Sequence, residues 1–278
     1  GTDPLSQAVN DISAKKNVLF VIAAGNSGQG VGKGRLVSAP GAADAALTVG
    51  AIDKNRQLAA FSSRGPRYGD YALKPDIVAP GVQIMAARAN GKAGNWYVAY
   101  SGTSMATPVT AGAAALVWQM HPAWTAAEVK DALMNAAVPI GAQCTSGCDG
   151  FVGAYDQGAG LVSLADNVQQ AALIEPAGIS FGSLKAKEKE ERRVIVRNVS
   201  GATLHLTLGG TMHGPSGDAQ AGLTISVSKL TLAPGETAPI TLMITGPAIK
   251  GSYTGEVALS HDDGGARVGR ATFAFVVR

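Results

Sequence analysis

Up to about residue 172, apolar runs alternate with stretches of helical period; beyond it the chain breaks into short segments of period two. In the first part, "NVLFVIAAG" is continuously apolar, which predicts a strand flanked on both sides by parallel neighbours. The preceding "DPLSQAVNDISAKK" predicts a helix, with Asp3 as N-cap and Pro4 at its first position. "AALTVGAID" and "KPDIVAPG" predict two more strands, the latter closed by Pro80 and Gly81. "VAYSGTSMA" leads into a predicted helix, "TPVTAGAAALVWQM". A further helix, "WTAAEVKDALMNAA", opens with a capping box of Thr125 and Glu128, and Trp124 is placed to staple onto Val129. Strands alternating with helices imply an α/β domain with a parallel sheet over residues 1–172.

Residues 173–278 read differently. "RRVIVRNV", "TLHLTLGG", "LTISVSKLTL", "APITLMITG", "YTGEVALS" and "GRATFAFVVR" alternate with period two, separated by turn signals such as "NVSG", "APGE" and "HDDGG". That pattern predicts an antiparallel β-sandwich. The join "LVSLADNVQQAALIEPAGISF" has no flexible Gly/Ser tract, which predicts a fixed interface between the halves.

Composition narrows the function. Apolar residues make up 46% and charged residues 15% of the chain, enough for a large core. A net charge of +3 is too small to argue for nucleic acid. No apolar run reaches the roughly 20 residues of a membrane helix. The two cysteines, Cys144 and Cys148, are too few for a zinc site. A small-loop disulfide in an oxidising compartment is the favoured reading, with two reduced loop thiols as the alternative.

The chemistry centres on "YSGTSMATPVTAG". Ser104 stands where a strand gives way to a helix, so unpaired N–H groups of the first turn can stabilise an oxyanion formed there. The plain alternative is a serine helix cap. A second stretch, "VIAAGNSG", ends its strand at Gly25-Asn26. Asparagine is a poor strand former, and its amide needs a partner.

"AAGNSG", "FSSRGP", "KPDIVAPG", "SGTSMATP", "AGAAAL" and "HPAWTAAEVKDALMNAA" occur in the order found in subtilisin-like serine proteases, the subtilases. The resemblance covers residues 1–172. It implies a three-layer α/β protease domain, Ser104 as nucleophile and Asn26 as the oxyanion side chain. It also implies that Ala23, Ala24 and Gly25 line the S1 pocket, with Gly102 and Thr103 beside the substrate. The second half resembles the fibronectin-III-like domain that follows the protease domain in some subtilases. A secreted protein acting on peptide bonds, with no required cofactor and no membrane span, is what the family implies. Many subtilases carry a histidine five residues after the serine; here it is Val109, outside the triad.

The family's catalytic Asp and His precede the oxyanion Asn, yet no histidine precedes Asn26 here. His121, His205, His213 and His261 read as structural. The expectation is that an N-terminal fragment of the same protease carries the Asp and His, separated by proteolysis at an exposed loop, or that the chain is a shortened piece. Two alternatives are weighed. An α/β-hydrolase elbow would need βα units after the serine, where this chain has a sandwich. A pseudoprotease or protein-binding module would lack an assembled triad. Asp76 aligns with a carboxylate that binds calcium in some subtilases; Lys74 or Arg64 are equally available to neutralise it.

Overall fold

The computed structural model describes residues 1–30, 36–141, 152–218, 222–265 and 267–278. Cys144 and Cys148 lie outside the described residues. The chain is an α/β protein.

Helix α1 (Pro4–Lys16) starts as its sequence demands: the Asp3 carboxylate accepts the Ser6 N–H at 2.9 Å. Strands β1 (Val21–Ala23), β2 (Leu47–Ile52) and β3 (Ile77–Pro80) form a parallel sheet in the order β1-β2-β3. Every residue of β2 is buried, as expected for a strand covered on both faces. Of the two parallel neighbours expected for "NVLFVIAAG", β2 is present. Among the described residues β1 pairs only with β2 and is half-buried. Its apolar run reports surface that calls for cover, not which segment covers it.

Among the described residues, strands β4 (Ile84–Lys92) and β5 (Asn95–Tyr100) pair only with each other, as an antiparallel ribbon. Helix α2 (Thr103–Met120) follows and lies on β1, β2 and β3. It starts four residues earlier than the "TPVTAG" pattern predicts, so Ser104 falls inside its first turn. Its buried face is built from small residues, Ala106, Thr110, Ala113 and Ala114, which let the helix lie close on the sheet. Helix α3 (Ala126–Asn135) has its Thr125–Glu128 capping box formed, and Trp124 and Val129 join one core with Leu47, Ile77 and Leu133. Short helices α4 (Ala154–Gln157) and α5 (Leu164–Val168) complete this half.

Ten strands follow: β6 (Ala172–Glu175), β7 (Gly178–Leu184), β8 (Lys189–Asn198), β9 (Leu204–Gly214), β10 (Gly217–Asp218), β11 (Leu223–Ile225), β12 (Lys229–Leu232), β13 (Thr237–Thr245), β14 (Gly251–His261) and β15 (Arg267–Val277). They make two sheets, β11-β13-β8-β6 and β10-β9-β14-β15-β7, with β12 added on β9. Pairing is antiparallel, as predicted, except that β7 runs parallel to β15. Phe181, Phe273 and Phe275 centre the core between the sheets.

β15 also makes the junction. Ala271, Phe273 and Phe275 point into the sandwich core, so Arg270, Thr272 and Ala274 face the other way. Ala274 packs with Leu73, Ala154 and Tyr155 of the first half. The buried Arg270 guanidinium pairs with Glu256 at 2.6 Å and donates to the Ala137 carbonyl at 3.1 Å and to the Ala159 carbonyl. Asn135, at the end of α3, acts as a substitute strand residue: its amide donates to Ile174 O and accepts from Ile174 N and Arg270 N. These buried polar contacts join the halves directly.

Candidate active site

The site forms where the end of β1 meets the start of α2. Gly102, the residue before the helix, is buried and extended. Its N–H donates to Gly81 O at 2.8 Å, which ties the helix start to the end of β3. A helix start leaves its first N–H groups without partners. Thr103 N–H donates to Asn26 Oδ1 at 2.9 Å, and Met105 N–H to Gly102 O at 3.0 Å. The N–H of Ser104, between them, has no acceptor among the described residues.

Thr103 also decides which way the Asn26 amide faces. Its hydroxyl donates to Asn26 Oδ1 at 2.9 Å and accepts from Gly25 N–H at 3.2 Å. A backbone N–H can only donate, so the amide oxygen faces Thr103 and the NH₂ group faces away. It faces the space above Gly102. A methyl group placed on the Gly102 Cα would lie 3.3 Å from Asn26 Nδ2 and 3.7 Å from Ser104 N. Two donors therefore border one small volume, and glycine keeps it open. The Ser104 side chain is exposed beside it and makes no hydrogen bond among the described residues.

Gly25 takes φ +105°, a conformation that favours glycine, and a Cβ there would meet Ser63 Oγ at 2.9 Å. Ala24 is fully buried with its N–H on Val49 O, so the backbone of Ala23, Ala24 and Gly25 runs past the helix start.

Residues 1–176 match the family model described as the Subtilase family. The chain belongs to the subtilase family. Serine protease AprX of Bacillus subtilis (strain 168) is 40% identical over 151 residues, 48% of this chain and 33% of that protein. Subtilisin Savinase of Lederbergia lenta is 41% identical over 137 residues, 49% of this chain and 45% of that protein. The matches thus span a third to under a half of these relatives. Among solved structures, MycP1 from the ESX-1 type VII secretion system is 28% identical with a TM-score of 0.42, covering 58% of this chain and 44% of that one.

In this subtilase the four histidines lie at the end of α2 and on sandwich strands β9 and β14. His121 ends α2 and stacks on Trp124 with ring centroids 3.8 Å apart. His205 is exposed on β9, 3.1 Å from Thr231 Oγ1; His213 is also on β9 and His261 ends β14. The basic residues of "FSSRGPR" are structural. Arg64 is buried against Asp156, and Arg67 binds Asp70, Asp44 and the Ala42 carbonyl.

Asp76 sits at the floor of the parallel sheet with Lys74 Nζ at 2.7 Å and Lys130 Nζ at 3.2 Å; Thr48 N–H donates to it at 2.7 Å. Burial pulls its carboxyl upward, but Lys130 and Lys74 outweigh that and hold it below the usual carboxylate range. Both carboxylate oxygens face ammonium groups, which a calcium ion would have to displace. Lys74 is pushed down to about 7 by burial. Its three donors are satisfied by Ala46 O, Thr48 Oγ1 and Asp76.

Two cavities, of about 300 and 390 Å³, lie between the halves, and neither is lined by Ser104 or Asn26. The site at Ser104 is an open surface here. The sequence names its residues but not the clamp from Thr103 onto Asn26, because that contact spans 77 positions.

Proposed function

We propose that this chain is the nucleophile-bearing part of a secreted subtilisin-like serine endopeptidase working through an acyl-enzyme. Ser104 attacks the scissile carbonyl, and the oxyanion sits above Gly102 between Asn26 Nδ2 and Ser104 N–H. The observation that carries this reading is the convergence of those two donors beside an exposed serine hydroxyl. The S1 wall is assigned to Ala23, Ala24 and Gly25, with Gly102 and Thr103 flanking the substrate; no cofactor is assigned.

The general base and its orienting acid are assigned to an N-terminal segment of the same protease, as a processed partner or as continuous chain. Two surfaces favour such a cover. Among the described residues β1 leaves one strand edge unpaired. The outer face of α2 exposes Val109, Leu116 and Met120, by 40, 50 and 45%. Covering both would complete a subtilisin-like three-layer domain, followed by the sandwich as a fibronectin-III-like module.

The alternative is a pseudoprotease or binding module. A fluorophosphonate separates them. The full-length protein should label at Ser104 and hydrolyse a peptide anilide; the 278-residue chain alone should do neither at a normal protease rate, because serine is a weak nucleophile without a base. A full-length protein inert to both reagents establishes the alternative.

A further inference from the structure

The ribbon β4–β5 is covered by nothing else among the described residues. Its register places Met85 and Tyr97 on one face and Tyr100 on the other. An antiparallel pair commonly buries one face and wets the other. Here both faces carry apolar side chains and both are open: Met85 and Tyr97 are each 66% exposed and Trp96 56%. Arg88 and Lys92 stand on the same ribbon, and residues 84–100 contain no acidic side chain. Neither cation has an ion-pair partner among the described residues. An isolated two-stranded hairpin is marginal in water, and tryptophan, tyrosine, methionine and arginine are the residues enriched in binding surfaces.

Both ends of the ribbon are rooted at the nucleophile. Gln83 N–H donates to Ser101 Oγ at 2.9 Å, and Gly102 N–H to Gly81 O at 2.8 Å. A polypeptide whose scissile bond lies at Ser104 therefore passes the base of the ribbon. At about 3.3 Å per extended residue, a flanking stretch of roughly six to eight residues spans its height.

We infer that the ribbon is an exosite for the protein substrate, binding a segment outside the scissile bond that carries acidic residues beside large apolar ones. Met85 and Tyr97, on one face, supply the apolar contact, and Arg88 and Lys92 select the acidic charge. The inference rests on the peptidase reading of Ser104.

The test uses the full-length protein and three probes: a tetrapeptide anilide, and two long quenched-fluorescence peptides with the same cleavage site. One long peptide is flanked on both sides by Glu/Leu segments, the other by Lys/Leu segments. The wild type should cleave the Glu/Leu peptide with a kcat/KM about tenfold higher than the Lys/Leu peptide, mostly through KM, with the gap closing in high salt. R88E/K92E should remove that preference, and M85A/Y97A should weaken both long peptides, while the anilide is cleaved as by wild type. Equal cleavage of both long peptides by wild type, or a preference that survives R88E/K92E, overturns the exosite. So does loss of binding to anionic phospholipid vesicles in R88E/K92E with the peptide preference intact, which would make the ribbon a membrane contact. Failure to cleave the anilide at all would instead overturn the peptidase reading.

Discussion

Asn26 Oδ1 accepts two hydrogen bonds from Thr103, from its N–H and from its hydroxyl, each 2.9 Å long. One residue of the helix start thus fixes the orientation of an amide just beyond the neighbouring strand β1. In the full-length protein, Asn26→Leu should lower kcat by about 100- to 1000-fold with KM little changed, the usual effect of losing an oxyanion donor. Thr103→Val keeps the backbone donor and loses the hydroxyl, so a smaller loss, about tenfold, is expected. Steady-state kinetics on a peptide anilide read both. Unchanged turnover in Asn26→Leu would remove Asn26 from the mechanism.

Gly102→Ala tests the volume between the donors. The extended backbone accepts any residue, so the fold should hold, with Tm near wild type. The added methyl would sit 3.3 Å from Asn26 Nδ2, in the space assigned to the oxyanion. A fall in kcat of about 100-fold or more is expected, as when an oxyanion contact is lost. Wild-type kinetics in this variant would mean the oxyanion lies elsewhere.

Asn135→Leu tests the junction of the halves. Leucine has similar bulk but leaves Ile174 N, Ile174 O and Arg270 N without the partners they have now. Buried groups stripped of partners cost roughly 1–3 kcal/mol each, so for three groups a total loss of at least about 3 kcal/mol is expected. Denaturant unfolding gives the value. Small-angle scattering should also show a wider spread of interdomain distances than wild type, and a loss below about 1 kcal/mol would place the junction's stability elsewhere.

Asp131 gives a pH signature. It lines the cavity of about 300 Å³ between the halves, where Ala177 N–H donates to it at 2.8 Å. Some of the residue remains accessible through that cavity. Burial pushes its carboxyl up to about 7, while Lys130 draws it down and Glu175 and Asp76 raise it further. The folded state then holds a proton that the unfolded state has released, so this group's contribution falls as pH rises from about 4 to 7. The substitution Asp131→Asn keeps the acceptor without the charge. The variant should be more stable than wild type at pH 8 and converge with it toward about pH 4. A difference in unfolding free energy that is flat across this range would show that Asp131 ionises normally.

Local order was legible because its causes are local. Asp3 before Pro4 caps α1, Thr125 and Glu128 cap α3, and period two marks the sandwich strands; each is a contact or alternation within a few residues. Motif order singled out Ser104 and Asn26 as candidates but gave nothing of their geometry. The tertiary structure decided what depends on distant residues meeting. Thr103 turns the Asn26 amide, Lys74 and Lys130 take both oxygens of Asp76, and Asn135 bridges β6 to β15. It also showed that, among the described residues, β1 pairs on one side only and the ribbon before Ser104 stands uncovered. An apolar residue carries the demand for burial in its own side chain; the partner that meets the demand is set by the path of the whole chain.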